Sequence, residues 1–371
     1  MAISEEEIMK KFLSINDSSA TNTSGKYASI HENFKEDLLK FQSSKKILNY
    51  AIRPLQFTFE ITNKCNCNCK DCGMAANRLN IDRADLTREQ LMKIVDSLSK
   101  IGIPSIAITG GEPFLKFDDI CYLINYLEGK LDVIKLITNG FWGVKADYYF
   151  KKLEESGLFN NKFFVPTIQI SIGEQSVPLE HICNIIKYVT DNYSVDKLHL
   201  GIIHTRERNL VKSRLQELYE IYIKKYGDFP SGKVYLTDSY YVNSNPTATE
   251  KIDAETESAY ELIATCDETF CEKLGKFVSP KIFMKCNGDC YPCEIFNTFD
   301  LFYLGNMFRD GIDKILDNYN SNKYIKFIAN HGTVGFRDVL SNKFLKSNEF
   351  ETVCCACEFC IKICEEKGLL R

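Results

Sequence analysis

The chain has 371 residues, 44% hydrophobic and 26% charged, enough to bury a large core as one big α/β domain with an appendage or as two domains. Its net charge of −4 offers no general attraction to nucleic acid or anionic membrane, and no apolar run approaches the roughly 18 residues of a spanning helix. Met1 to Ile15 is acidic and amphipathic, without the basic start and apolar block of a signal peptide, so the expectation is a cytoplasmic protein whose thiols stay reduced.

Residues 1–52 form an N-terminal extension. A short helix is followed by a polar, flexible link from Asn16 to Gly25 and a second helix near His31 to Leu48. The extension is expected to pack on the main domain, and it is too short for a peptide-binding winged-helix module. From residue 56 apolar, β-branched runs alternate with helical periodicity. Strands are expected at Gln56–Thr62, Ser105–Thr109, Asp132–Thr138, Pro166–Ile172, Lys197–His204 and Lys233–Thr237. Helices are expected at Thr87–Lys100, Asp118–Leu127, Lys145–Glu155, Pro178–Asn192 and Glu207–Tyr226, the first opened by a Thr87/Gln90 capping box. Six strands with helices between them argue a parallel sheet with right-handed crossovers.

The sixteen cysteines need a reason other than disulfides. Four lie within 65–72 and ten between 266 and 364. Cys121 and Cys183, alone in between, suit small buried hydrophobic positions. The first group, leaving out Cys67, has the spacing C-x3-C-x2-C through Cys65, Cys69 and Cys72. Three thiolates leave one iron of a four-iron cluster open. A zinc knot is the other use of such a loop.

The remaining unusual groups fall in phase at the C-terminal ends of strands, the face that carries the site in parallel α/β barrels. Gly110-Gly111-Glu112-Pro113 follows the second strand and Asn139 the third, while Ser171, His204 and Asp238 stand at the ends of the later ones. Paired glycines let backbone approach a ligand closely. Their bare polar groups, beside Glu112, suit an ammonium group. His204 and Asp238 are candidate proton acceptors. His199 is expected to face the helices, Trp142 to cap the core as a packed aromatic, and Tyr240 and Tyr241 to line the mouth or the core.

Cys65-x3-Cys69-x2-Cys72 after the first strand, with Gly110-Gly111-Glu112-Pro113 after the second, resembles the radical S-adenosylmethionine (radical SAM) superfamily over about residues 53–240. The resemblance implies a partial (β/α)6 TIM-like barrel. Cys65, Cys69 and Cys72 would hold a [4Fe-4S] cluster whose open iron is chelated by S-adenosylmethionine (SAM). Reductive cleavage would give a 5'-deoxyadenosyl radical that abstracts a substrate hydrogen; such chemistry belongs to the cofactor. Gly110, Gly111, Glu112 and Pro113 would bind the methionyl amine, and Ser171 the carboxylate or ribose. Asn139 matches the family's strand-three asparagine. The family's adenine contact before the third cysteine is commonly aromatic; here it is Asp71, and Met74 is the candidate replacement. Cys67 is an extra thiol in the loop.

Residues 241–371 begin with a linker, Asn243 to Thr247. Lys281–Lys285 and Tyr291–Phe296 flank Asn287-Gly288-Asp289, the pattern of a β-hairpin with an Asn-Gly turn. Glu349–Leu370 is expected to be a cysteine-studded turn running into a final helix. The region resembles the SPASM and twitch extensions of radical SAM enzymes. That implies a C-terminal cysteine-rich domain with one or two auxiliary [4Fe-4S] clusters on Cys271, Cys286, Cys290, Cys293, Cys354, Cys357, Cys360 and Cys364. Gly288-x4-Cys293 and Cys354-x5-Cys360-x3-Cys364 fit the pattern, but Glu351 replaces its first late cysteine and no cysteine follows Cys364. A zinc-ribbon tail is the alternative.

The resemblance implies a radical SAM enzyme, with modification of a ribosomally made peptide or protein favoured and a dehydrogenase or epimerase of a sugar or other small molecule as the alternative. A non-catalytic iron–sulfur electron carrier or zinc protein is the reading of another class. Expected partners are the peptide or small-molecule substrate and a reductant such as flavodoxin or ferredoxin.

Overall fold

A computed structural model describes residues 5–14, 34–69, 85–172, 177–204, 213–238, 257–262, 281–294, 300–350 and 353–370. Its frame is a run of six parallel strands in sequential order: β2 (Gln56–Glu60), β3 (Ser105–Thr109), β4 (Asp132–Thr138), β5 (Thr167–Ile172), β6 (His199–His204) and β7 (Tyr235–Asp238). Between them run α3 (Arg88–Ile101), α4 (Phe117–Leu127), α5 (Ala146–Glu155), α6 (Leu179–Asn192) and α7 (Arg214–Tyr226). This is the expected partial (β/α)6 barrel with its cysteine-rich C-terminal region. Residues 207–212 of the last expected helix lie outside the described residues.

The strand sequences alternate, and the alternation sorts the two faces of the sheet. Phe57, Phe59, Ile106, Ile108, Ile168, Ile170, Leu200, Ile202 and Leu236 enter one core with Leu91, Ile94, Leu98, Ile120 and Ile182 of the helices. The other face carries Gln56, Thr58 and Glu60 on β2, Lys135 on β4, Thr167 and Gln169 on β5, His199 on β6 and Tyr235 on β7, side by side in register. His199 therefore does not face the helices. It is paired with Thr167, packs its ring 4.8 Å from that of Tyr235, and burial lowers its pKa to about 4. The helix-packed positions of β6 are Leu200 and Ile202, one residue out of phase with it.

Two segments distant in sequence extend the sheet. β1 (Leu13–Ser14), after the short helix α1 (Glu5–Met9), pairs parallel with β7, a strand the N-terminal sequence did not reveal. β9 (Lys281–Met284) pairs parallel with β2 and continues through β10 (Asp289–Tyr291) and β11 (Gly305–Asn306). The expected Asn-Gly turn is present, with Gly288 at φ +92° and its amide donating to Lys285 O at 2.8 Å. The second hairpin strand starts at Asp289, earlier than expected. The described residues from Phe34 onward dock through α2 (Phe34–Gln42): Gln42 Nε2 donates to Gly102 O at 2.9 Å. Gly102 ends α3 at φ +101°, where a Cβ would sit 2.6 Å from Lys45 Cβ.

A second core lies beyond the hairpin. β8 (Glu257–Ser258) pairs with β12 (Glu349–Phe350). Around them lie α8 (Ala259–Leu262), α9 (Gly311–Ser321), α10 (Lys323–His331), α11 (Phe336–Val339), α12 (Asn342–Lys346) and α13 (Val353–Glu366). Helix α9 joins the barrel core through Ile312, Ile315 and Leu316. Helix α13 starts at Val353, so the late cysteines lie on the helix and not on a turn before it. The reason is local: from Val353 the sequence contains no Gly or Pro before Gly368. Cys357, Cys360 and Cys364, at three- and four-residue spacing, share its buried face.

Thr87 caps α3 as expected, its side chain accepting from the Gln90 amide while the Gln90 side chain accepts from the Thr87 amide. Thr87→Ala is expected to lower stability by about 1 kcal/mol, seen as a lower urea midpoint at unchanged slope.

Candidate functional site

The first cysteine group leaves the end of β2 on a loop whose base is closed. Leu86 N donates to Ile61 O at 2.9 Å, Thr62 Oγ1 to Asp85 Oδ1 at 2.6 Å and Lys64 Nζ to Asp85 Oδ2 at 2.7 Å. The paired glycines lie directly on this loop. Gly111 N donates to Thr62 O and Glu112 N to Lys64 O, both at 2.8 Å. A Cβ on Gly110 would stand 2.3 Å from Thr62 O, and one on Gly111 2.2 Å from Lys64 O. Both are closer than backbone atoms tolerate, and Gly110 also has φ +152°. The glycines are thus required by the approach of two backbones, before any ligand is considered.

Glu112 is fully buried. Its carboxylate accepts from Phe114 N (2.9 Å), Thr138 Oγ1 (2.8 Å) and Asn139 N (2.7 Å). Burial raises its pKa to about 7 against these hydrogen bonds. The side chain therefore ties the end of β3 to the end of β4. Thr138 Oγ1 also accepts from Trp142 Nε1 at 3.1 Å. Trp142 is buried and stacked on Phe114 at 4.5 Å, the packed cap expected of it.

Asn139 reaches back to the cysteine loop, donating to Asn66 Oδ1 at 2.8 Å and to Cys67 Sγ at 3.2 Å. Cys67, the extra thiol, is buried, and its amide donates to Cys65 Sγ at 3.3 Å. Hydrogen bonding to Cys67, followed by burial, raises the Cys65 pKa. Cys65 and Cys69 are half-buried; Asp71, Cys72 and Met74 lie outside the described residues. Ser171 is half-buried on the inner face of β5. His204 and Asp238 are paired in register at the ends of β6 and β7. Their side chains, like Tyr240 and Tyr241, lie outside the description.

Glu60 ends β2 with a buried carboxyl that accepts from Cys286 N at 3.1 Å. Burial raises its pKa to about 7, and burial with Glu60 beside it raises that of Cys286 to about 12. The sequence signal for this contact was one acid closing an otherwise uncharged strand. Cys290 is fully buried in the barrel core, and burial raises its pKa well above the ordinary thiol value. Cys293 instead packs against the second core, with Cys357, Cys360 and Cys364. Burial raises Cys360 to about 12 and raises Cys364 too. Cys271 lies outside the described residues, and Cys354 is described only as part of the α13 backbone.

Among the described residues no three Cys, His, Asp or Glu side chains converge as single-ion ligands. The donor set is nevertheless thiol-rich in two places. Soft thiolates select iron–sulfur and zinc over hard cations, and the described cysteines form no disulfides among themselves. The residues fit an iron–sulfur group at each place.

Residues 59–193 match the radical SAM superfamily and residues 276–360 the SPASM iron–sulfur cluster-binding domain. The chain belongs to the radical SAM superfamily, in the subgroup with a C-terminal auxiliary-cluster domain. It therefore uses SAM, a [4Fe-4S] cluster and auxiliary iron–sulfur chemistry.

Among relatives, a Bacillus subtilis protein provisionally named as the peptide biosynthesis protein YydG is 24% identical over 81% of this chain and 90% of its own length. A protein of Methanocaldococcus jannaschii provisionally named a GTP 3',8-cyclase is 31% identical, over 38% of this chain and 46% of its own length. The GTP 3',8-cyclase of Limosilactobacillus fermentum is 23% identical over 70% and 86%. The crystal structure of BtrN in complex with AdoMet and 2-DOIA superposes with TM-score 0.40 and 14% identity, over 80% of this chain and 92% of that one.

Gly111→Ala must displace the Lys64 carbonyl. Iron bound in the first cysteine loop is expected to fall while the C-terminal iron stays, measured by iron per chain and by loss of the spectral change on adding SAM. Glu60 holds its proton to about pH 7 when folded and to 4.5 as an isolated side chain. Its contribution to stability is thus full below 4.5 and is lost as pH rises through 7. Glu60→Gln is expected to flatten that fall in urea midpoints measured across pH 4.5–7.

Proposed function

We propose that this chain is a radical SAM enzyme that modifies a ribosomally made peptide or protein by hydrogen abstraction, forming a thioether, a crosslink or an oxidised residue. In this reading Cys65, Cys69 and Cys72 hold the SAM-cleaving cluster. When bound, that cluster supplies an electron to SAM and so the radical that takes a substrate hydrogen. The latch from Gly110–Gly111 to Thr62 and Lys64 fixes the loop. Gly110 to Pro113 present backbone polar groups to the methionyl end of SAM, with Glu112 acting through the Thr138–Asn139 corner and not as a bare carboxylate. Asn139 orders the loop at Asn66 and Cys67, and Ser171 faces the same inner surface. Met74 serves the adenine, and His204 and Asp238 are retained as proton acceptors. Residues 53–240 form the catalytic unit, 1–52 its extension and 241–371 the auxiliary-cluster unit. Electrons come from a flavodoxin- or ferredoxin-type donor.

The observation that carries the peptide reading is the inner face of the barrel. Thr167, Gln169 and Ser171 on β5 are uncharged donors and acceptors, beside Gln56 and Thr58 bonded to each other and a neutral His199 packed on Tyr235; such groups pair with peptide amides. The alignment with the YydG protein over most of both chains supports it. A nucleotide substrate is the second reading, favoured by the relatives named as GTP 3',8-cyclases. A triphosphate calls for clustered cations. Of the two described lysines on the inner face, Lys281 is paired with Glu294 at 3.3 Å, which leaves that reading weaker. A sugar or other small polyol as substrate would be met by the same uncharged groups.

The reduced holoenzyme under anaerobic conditions is expected to convert SAM to 5'-deoxyadenosine. With a candidate peptide it should give a product of changed mass or changed chirality. Turnover of GTP with no action on any peptide would overturn the peptide reading; absence of 5'-deoxyadenosine would overturn the enzyme.

A further inference from the structure

Tyr324, near the start of α10, is almost fully enclosed in the second core, and its hydroxyl has no hydrogen-bond partner. An unpaired buried hydroxyl costs about 1–3 kcal/mol. The Tyr324 amide is already satisfied by the Asn322 side chain at 3.0 Å, and its ring meets Phe302 edge-on at 6.2 Å. The phenol is therefore held by both its backbone and its ring, with only the oxygen unaccounted for.

The surroundings narrow what the oxygen can meet. The buried side chains of this core are Ala259, Phe302, Phe336, Leu340, Leu345, Ala356, Ile361, Leu370 and the three thiols Cys357, Cys360 and Cys364. Among these apolar side chains the thiols are the groups that can accept a hydrogen bond. Lys323, the preceding residue, pairs with Glu365 at 3.2 Å, which ties the start of α10 to α13 next to Cys364. The hydroxyl bonds to none of these thiols; a cluster held by them would bring sulfide acceptors into the same core.

We infer that the Tyr324 hydroxyl donates a hydrogen bond to a sulfide of the auxiliary iron–sulfur cluster and raises its reduction potential. The inference rests on Cys293, Cys357, Cys360 and Cys364 being ligands of that cluster. A hydrogen bond to cluster sulfur stabilises the reduced state, which carries one more negative charge. Among the buried side chains of this apolar core, Tyr324 carries a hydroxyl able to do so. Tyr324 acts as a tuning residue through the cluster and touches no substrate. Its effect is to make the auxiliary site the better electron acceptor.

The test uses the full chain with its clusters, in a Cys65→Ala, Cys69→Ala, Cys72→Ala background that leaves the auxiliary iron alone. Tyr324→Phe keeps the ring and removes the oxygen. Iron and sulfide per chain should stay as in the parent, and the midpoint potential from an EPR-monitored titration should move to more negative values. In the parent, an exchangeable deuteron coupled to the reduced cluster should be seen by ENDOR after transfer to D2O, and it should vanish in Tyr324→Phe. An unchanged potential with full iron overturns the inference, as does a parent cluster with no such deuteron; the latter needs no variant to fold. Full auxiliary iron in Cys360→Ala overturns the ligand reading itself, and the inference with it.

Discussion

Two backbone carbonyls, those of Thr62 and Lys64, are the fixed points on which the rest of this molecule's chemistry depends. Each accepts a hydrogen bond from the turn after β3, and each lies where a methyl group on the opposing residue would have to be. A loop rich in thiols and polar residues has little apolar surface with which to hold itself. It borrows rigidity from the sheet through this contact and from the Thr62–Lys64–Asp85 closure at its base. The same turn then sends Glu112 to Thr138 and Asn139, and Asn139 returns to the loop. The ends of three neighbouring strands are thereby locked to one another by hydrogen bonds, buried at Thr138–Glu112 and exposed at Asn139–Asn66. Loops built this way place reactive groups with the precision of the scaffold beneath them.

The sheet divides its labour between its faces. One is almost entirely hydrocarbon and binds the helices. The other is polar and largely uncharged along its length, and it becomes acidic at the C-terminal end of the strands, at Glu60. Glu60 and Glu112 are buried carboxyls with raised pKa values, and each spans a junction: Glu60 joins the barrel to the C-terminal hairpin, Glu112 joins two strand ends. Burying such groups costs free energy unless they are hydrogen-bonded. Their partners here are backbone amides and a threonine, which fix position without adding charge.

Much of this was legible in the sequence because it follows from short-range rules. The six strands, the helices between them, the Thr87 capping box and the Asn287–Gly288 turn are each written in a few adjacent residues, and the structure keeps them within a residue or two at most boundaries. The family followed from two spaced motifs. What was not legible depends on contacts between distant residues. Leu13–Ser14 is too short to announce itself as a strand. His199 looked like a helix-facing residue because it stands in a largely apolar run from Leu198 to Ile203, although Leu200 and Ile202 are the positions that pack on the helices. The cysteines from Cys354 onward looked like a turn because cysteine suggests ligation before helix. The need for Gly110 and Gly111 was visible, but the loop that presses on them was not. That Thr138 and Asn139 donate to Glu112 was hidden as well, because nothing local to the turn shows it.

The parallel pairing of β9 with β2 has a consequence for how the protein is made. Glu60 and Cys286 meet across 226 residues of sequence, and β1 likewise waits for β7, so both edges of the sheet close on partners that emerge far apart. Contacts of such separation are slow to form and pay their loop entropy before any reward. During synthesis the barrel strands can pair in order, while the outer edge of β2 stays open until the hairpin arrives. An open parallel edge is a site for wrong pairing. The segment that covers that edge also carries Cys286, Cys290 and Cys293. Truncation after β7 would remove the auxiliary region and also bare the barrel's first strand.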